Sequence, residues 1–279
     1  METTPAELRL ADVLATLRDL YPEDSAQSWD RVGLVTGDPD QPVRRVLLAV
    51  DPTLAVIDEA VEGGHDLLVT HHPLLLRGVH SVATTTAKGA AITRLVVGDV
   101  ALYCSHTPAD VADAGVSQAL ADALALGQVE PLVHEEGRPL GRVGGLPQEV
   151  TLEELARRLA DVLPPTPVGI RVSGPRDARV QRVAVLGGAG DSAFDAVRTS
   201  RADVYVTADL RHHPALEARE EARDVTPYLV DAGHFATEQL WLPVLRDRLM
   251  AAHPALEVEL STLVTDPWTF LVPTLGDRP

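Results

Sequence analysis

The chain has 279 residues, 41 Asp plus Glu against 24 Lys plus Arg for a formal net charge of −17, ten His, one Cys and 4% aromatics. A single cysteine rules out an internal disulfide framework and a Cys-cluster zinc site, and the acidic balance offers no basic face to displace counterions from nucleic acid or anionic lipid. No apolar run approaches the ~18 residues of a membrane span, and Glu2 and Glu7 stand where a signal peptide carries Lys or Arg. A cytoplasmic protein with neither membrane nor nucleic-acid partners is therefore expected. The length suggests two domains at ~100–200 residues each, and 45% apolar residues suffice for two cores.

In chain order, Thr4 as N-cap, Pro5 in the first turn and Glu7 closing a capping box predict a first helix that buries Leu10, Val13, Leu14 and Leu17. The next segment, SWDRVGLVTGD (28–38), is too rich in Gly and Asp to predict a regular element. The runs VLLAV (46–50), DLLVT (66–70) and VALYC (100–104) are apolar on both faces, as strands of a buried parallel sheet are. Stretches around 53–62 and 87–97 read as crossover helices. Pro, Gly and charge over Glu130–Gly145 predict a domain junction. A second capping box, Thr151 with Glu154, opens a helix with Leu152, Leu155, Leu159 and Val162 on its apolar face. After LPPTP come strands VAVLG (183–187), VYVT (204–207) and YLVDA (228–232), a helix over about 235–250 and a last strand, LEVEL (256–260).

The halves repeat at an offset of 137 residues, with Val46 matching Val183, Asp66 matching Asp203 and Thr70 matching Thr207. Two related α/β domains with mainly parallel sheets are expected, over 1–135 and 140–279, with a metal site in the cleft between them. The last helix and strand are expected to pack back on the first domain.

Ligands of open parallel sheets bind beyond the carboxyl ends of the strands, and four polar clusters fall there: Thr70-His71-His72-Pro73, Ser105-His106-Thr107-Pro108-Ala109-Asp110, Asp209-Leu210-Arg211-His212-His213-Pro214 and Gly233-His234-Phe235-Ala236-Thr237-Glu238. His234 and Glu238, at i and i+4, project from one helix face as a metal platform. Three imidazoles, His71, His72 and His234, with the carboxylates Asp110 and Glu238 suit Zn²⁺, Fe²⁺, Mn²⁺, Co²⁺ or Ni²⁺ and give too little oxygen for a Ca²⁺ cage. Five ligands exceed the usual three of one catalytic ion, so two divalent ions sharing a carboxylate are expected. His212 and His213 divide evenly between a structural contact and a substrate-binding role, and His65, His134 and His253 read as solvated.

Two other motifs carry less. Gly188-Ala189-Gly190-Asp191-Ser192-Ala193 has the form of a dinucleotide fingerprint, with Asp209 about 20 residues on, but Asp191 would repel a pyrophosphate. A tight turn with Asp191 or Ser192 capping the next helix is the better account. Ser105 beside His106 lacks the G-x-S-x-G elbow of a serine hydrolase.

Six motifs in order, SWDRVGLVTGD, DLLVTHHPLL, SHTPADVADAGV, VAVLGGAGDSAF, DVYVTADLRHHPA and DAGHFATE, resemble the NIF-three-like dinuclear metal-centre family, many of whose members are called GTP cyclohydrolase 1 type 2 homologs. The resemblance spans roughly residues 28 to 240. It implies two α/β domains enclosing two metal ions in a toroidal homohexamer, with His71, His72, Asp110, His234 and Glu238 as ligands and His106 near the second ion. The chain has Pro108-Ala109 where the family commonly has Asn-Leu, and it lacks a long insertion that some relatives carry between domains.

The reading is a metal-dependent hydrolase whose two ions hold a bridging hydroxide as nucleophile at neutral pH. His72, Asp110 and His234 would serve one ion and His71 the other, with Glu238 bridging, while His106 or His212 moves protons. A small anionic or nucleotide-like substrate fits, since two divalent ions would leave the centre locally positive. GTP ring opening, phosphoester hydrolysis and amide hydrolysis are all compatible. The alternative is a non-catalytic metal-binding or regulatory interaction protein.

Overall fold

A computed structural model describes residues 7–272 of the chain. The proposed capping residues Thr4 and Pro5 lie outside them. Helix α1 (Leu10–Leu20) begins later than the capping box implies: Arg9 is its N-cap, with the Asp12 carboxylate accepting the Arg9 N–H at 3.0 Å, and Glu7 precedes the helix. Its apolar face is the expected one, with Leu10, Val13, Leu14 and Leu17 buried.

Strand β1 (Gly33–Thr36) lies inside the segment read as irregular. It is an edge strand that exists by pairing antiparallel to a later one, a tertiary cause invisible to local propensity. Then follow β2 (Arg45–Ala49), α2 (Leu54–Glu62), β3 (Leu67–Thr70), α3 (Ala87–Val97) and β4 (Ala101–Cys104). The Thr53 and Thr86 hydroxyls cap α2 and α3. The short α4 (Thr107–Val111) and α5 (Val116–Ala123) lead to β5 (Gly127–Glu135) and β6 (Arg138–Thr151). This pair runs through the segment 130–145 read as a junction, where the chain changes unit at Leu132/Val133 and again at Gly141/Arg142, and Glu136 and Gly137, both at positive φ, turn the chain back on itself. Thr151 caps α6 (Leu152–Val162) by accepting the Glu154 N–H, and Leu152, Leu155 and Leu159 are buried while Val162 is exposed.

The remaining elements are β7 (Arg171–Ser173), β8 (Arg179–Ala189), α7 (Phe194–Ser200), β9 (Val204–Ala208), α8 (His212–Ala222), β10 (Tyr228–Asp231), α9 (His234–Gln239), α10 (Trp241–Ala252) and β11 (Glu257–Leu260). No side chain caps α7; Asp191 instead accepts from the backbone and guanidinium of Arg211. The single helix expected over 235–250 is two. Pro243 has no N–H and sits within the first turn of α10, where no intrahelical bond is required of it.

The chain divides into two compact units: one of residues up to Leu120 with Val133–Gly141 and Glu238–Leu263, the other of Ala121–Leu132, Arg142–Thr237 and Val264 onward. The first contains a five-stranded sheet in the order β1-β4-β3-β2-β11, parallel except for β1. Leu47, Ala49, Leu68 and Leu102 pack with Val56, Ile57 and Ala60 of α2 and Ala91 and Leu95 of α3 on one face. The second sheet runs β5-β6-β8-β9-β10-β7, with β8, β9 and β10 parallel.

The repeat is structural. Val46 pairs with Leu67 as Val183 pairs with Val204, both shifted by 137 residues. The Asp66 carboxylate accepts the N–H groups of Arg44 and Arg45 at 2.7 and 2.9 Å, and Asp203 accepts those of Gln181 and Arg182 at 2.9 and 2.8 Å. Each aspartate satisfies two consecutive backbone donors of the neighbouring chain segment, just before and at the first residue of β2 in one case and near the start of β8 in the other. Among the described residues no helix is long and apolar enough to cross a membrane.

Candidate metal centre

In the first unit the ladder between β2 and β3 runs two residues past β3. His71 N–H donates to the Ala49 carbonyl at 3.2 Å and His72 N–H to Val50 at 2.9 Å, and Pro73 then ends the ladder by lacking a donor. Thr70 Oγ1 donates to the His72 carbonyl at 2.9 Å, which curls the turn. His71 is fully buried, and its Nδ1 lies 3.3 Å from the Ser105 carbonyl. A carbonyl only accepts, so Nδ1 carries the proton and Nε2 presents a lone pair. Burial also holds the His71 pKa below its ordinary value, against the upward pull of Glu238.

That Nε2 lies 3.4 Å from Glu238 Oε1 and 3.6 Å from Asp110 Oδ1 and makes no hydrogen bond among the described residues. His72 Nε2 lies 3.2 Å from Glu238 Oε2, while its Nδ1 is 2.7 Å from Asp51. Burial lowers the His72 pKa, but Glu238 and Asp51 outweigh it and raise it to about 10. The ring of His106 packs edge-on against those of His71 and His72, with centroids 5.1 and 5.4 Å away, and one nitrogen from each of the three lies within 4.8 Å of the others. His106 Nδ1 is 3.0 Å from Asp30 Oδ1, and Asp30 Oδ2 accepts from Thr107 N–H at 3.0 Å and Thr107 Oγ1 at 2.5 Å. Burial works to raise the Asp30 pKa, yet these bonds from His106 and Thr107 hold it well below the usual carboxylate range.

His71, His72, Asp110, Glu238 and His106 are thus brought together in the first unit. His234 belongs to the second, opening the helix α9 that ends near Glu238, and its Nδ1 is 2.8 Å from Asp209. Thr237 Oγ1 accepts from Gly188 N–H and donates to the His234 carbonyl, fixing this turn beside β8. His212 is exposed at the start of α8, its ring 5.2 Å from that of His213. His65, read as solvated, is buried, with Nδ1 3.2 Å from the Ala60 carbonyl at the end of α2 and Nε2 3.5 Å from Glu259 of β11.

Residue reasoning gave no supporting role to Asp30, Asp51 or Asp209, the carboxylates that hold His106, His72 and His234 by Nδ1. A carboxylate behind an imidazole fixes its tautomer and orients the other nitrogen, the usual support of a metal-bound histidine. The available signal was position: Asp209 comes directly after β9, and Asp51 two residues after β2.

The donor set fits a divalent cation. Two ligand atoms each ~2.1 Å from a tetrahedral ion stand about 3.4 Å apart, and the observed imidazole–carboxylate separations run from 3.2 to 3.6 Å. The buried His71 Nε2 lone pair faces two carboxylate oxygens, an arrangement that a cation satisfies.

Fold and site define a two-unit α/β protein with a buried histidine–carboxylate cluster suited to metal binding. A sequence profile for Duf34/NIF3 (NGG1p interacting factor 3) matches residues 8–267, and the chain belongs to this family. It is 50% identical over 271 residues to a GTP cyclohydrolase 1 type 2 homolog of Streptomyces coelicolor, covering 94% of each chain. A homolog of the same name from Mycobacterium bovis is 34% identical over 374 aligned positions, covering 94% of this chain and 97% of that one. Since 374 exceeds 279 by 95, that relative carries residues this chain lacks within the matched span. Among solved structures, a Staphylococcus aureus hypothetical protein superposes with a TM-score of 0.85 at 28% identity, over 95% of this chain and all of that one.

Proposed function

We propose that the protein is a metal-dependent hydrolase holding two divalent ions through His71, His72, Asp110, His234 and Glu238, with Glu238 shared between them, and acting as a homohexamer on small anionic, nucleotide-like substrates. The observation that carries this reading is the buried His71 Nε2 lone pair, set 3.4 and 3.6 Å from two carboxylates and without a hydrogen bond among the described residues. When bound, divalent ions supply Lewis-acid chemistry, polarising a substrate oxygen and acidifying water.

The chain's own residues do the rest. The Ser105 carbonyl and Asp51 lock the imidazoles of His71 and His72 so that each offers Nε2. Asp30 does the same for His106, leaving its Nε2 to take a proton from a nucleophile or give one to a leaving group. His106 is favoured over His212 for this task because a buried carboxylate orients its ring, whereas His212 is exposed. The relatives' name points to GTP ring opening as one reaction to test.

The chelated chain, reloaded in turn with Zn²⁺, Fe²⁺, Mn²⁺, Co²⁺ and Ni²⁺, is expected to take up two ions per chain by elemental analysis and to hydrolyse a member of a nucleotide, phosphoester and cyclic-amide panel. Glu238→Ala is expected to lose that turnover with the assembly intact by light scattering. Far fewer than two ions per chain would overturn the dinuclear assignment. Full loading with no turnover under any metal would leave a metal-binding or regulatory interaction protein.

A further inference from the structure

Three tryptophans occur in the chain, and two of them touch the histidine cluster. Trp241 is fully buried, its ring 5.6 Å from that of His71 and its Nε1 donating to the Tyr21 hydroxyl at 2.9 Å. Trp29 is 50% exposed, with its ring 5.6 Å from that of His106 and at 79° to it. Leaving half of an indole in water forgoes hydrophobic stabilisation.

Its backbone neighbours are nevertheless held fast. Ser28 donates its N–H and its hydroxyl to the two oxygens of Glu136, at 2.9 and 2.8 Å, from the tip of the β5–β6 hairpin. Gln27 N–H donates to Thr107 Oγ1 at 3.0 Å. On the other side Asp30 is buried and takes its bonds from His106 and Thr107. The loop is anchored at Gln27, Ser28 and Asp30, on both sides of the half-exposed indole. One of those anchors, Asp30, orients His106 directly, and Thr107 holds Asp30 in place.

We propose that Trp29 is a substrate-positioning residue of this centre, stacking a planar nitrogen-heteroaromatic ring so that the ring's edge atoms face His106 and its neighbouring imidazoles. This rests on the metal-dependent hydrolase reading and names its substrate class. A rigid, half-wet indole adds affinity for a flat ring at little cost in side-chain ordering, and stacking tolerates any ring with a π-face. His106 has committed Nδ1 to Asp30, so its Nε2 is the nitrogen that meets ring nitrogens or a ring carbonyl. A cationic group, the other common guest of an indole face, is disfavoured beside divalent ions.

The test uses the zinc-loaded full chain and two probes by titration calorimetry: guanosine 5′-monophosphate, and ribose 5-phosphate, which has the sugar and phosphate but no ring. The nucleotide is expected to bind more tightly than ribose 5-phosphate. Trp29→Ala is expected to weaken the nucleotide by about tenfold or more, Trp29→Phe by a few-fold only, and neither to change ribose 5-phosphate binding or zinc content. Equal nucleotide affinity in wild type and Trp29→Ala, or nucleotide binding no tighter than that of ribose 5-phosphate, overturns the proposal. So does a Trp29→Ala variant whose assembly size changes while its nucleotide affinity does not, since that assigns the indole to a contact between copies. Failure of the hydrolase reading registers separately, as metal uptake without turnover, and leaves these affinities readable.

Discussion

Metal uptake should expel a proton from His72, and the size of that effect follows from its surroundings. Burial lowers the pKa of this imidazole, but Glu238 and Asp51 together raise it to about 10, so at pH 7 the metal-free ring is protonated. A metal needs the neutral ring. With three pH units between 7 and 10, proton competition weakens apparent affinity by about a thousandfold at pH 7, or about 4 kcal/mol at 1.36 kcal/mol per unit. Apparent affinity is therefore expected to rise about tenfold per pH unit from 7 to 9. Calorimetry in buffers of different ionisation enthalpy should count about one proton released from His72 at pH 8, where a histidine of ordinary pKa near 6.5 would release almost none. Acidified water can add a proton of its own, but that one persists at high pH, while the His72 proton disappears as pH passes about 10. Flat affinity between pH 7 and 9, or proton release that does not decline above pH 10, would refute the reasoning. The same shift sets a sign for the metal-free fold: a raised pKa stabilises fully below about pH 6.5, and that contribution is lost as pH rises through about 10.

Asp30 has the opposite sign. Its pKa is lowered, so its contribution is present above about pH 4, the ordinary carboxylate value, and is lost as pH falls towards the folded-state value; Asp30→Asn should cost about 3 kcal/mol by urea denaturation at pH 7, because it disturbs two buried bonds from Thr107 and a partly buried one from His106. Asp66→Ala and Asp203→Ala should each cost about 1–3 kcal/mol by leaving two strand-end N–H groups without their carboxylate, and near-equal losses in thermal unfolding would confirm that the two play the same part.

The histidine turns were legible because each carries its chemistry locally: the His-His pair closed by Pro73, and the one-turn spacing of His234 and Glu238. The central strands were legible because burial on both faces leaves continuous apolar runs. Strand β1 was not, since its residues Leu34, Val35 and Thr36 lie between glycines and aspartates and pair only once β4 lies beside them. The hairpin of β5 and β6 reads as a linker because its exposed positions are polar and Gly-rich. Asp30 and Asp51 stand 76 and 21 residues from the histidines they orient, and separations of that kind are visible only in space. His65 follows two glycines and precedes an aspartate, a polar setting that conceals its burial.

The paired latches of Asp66 and Asp203 show one architectural plan used twice, while the residues that follow the latched strands have parted company. After β3 the chain continues into His71 and His72; at the matching place, β9 ends on Ala208 and continues into Asp209, which supports a histidine instead of being one. Scaffold and chemistry are therefore separable within one chain. The same carboxylate latch holds strands together in both sheets, and the turn after the middle strand is where the two units carry different chemistry.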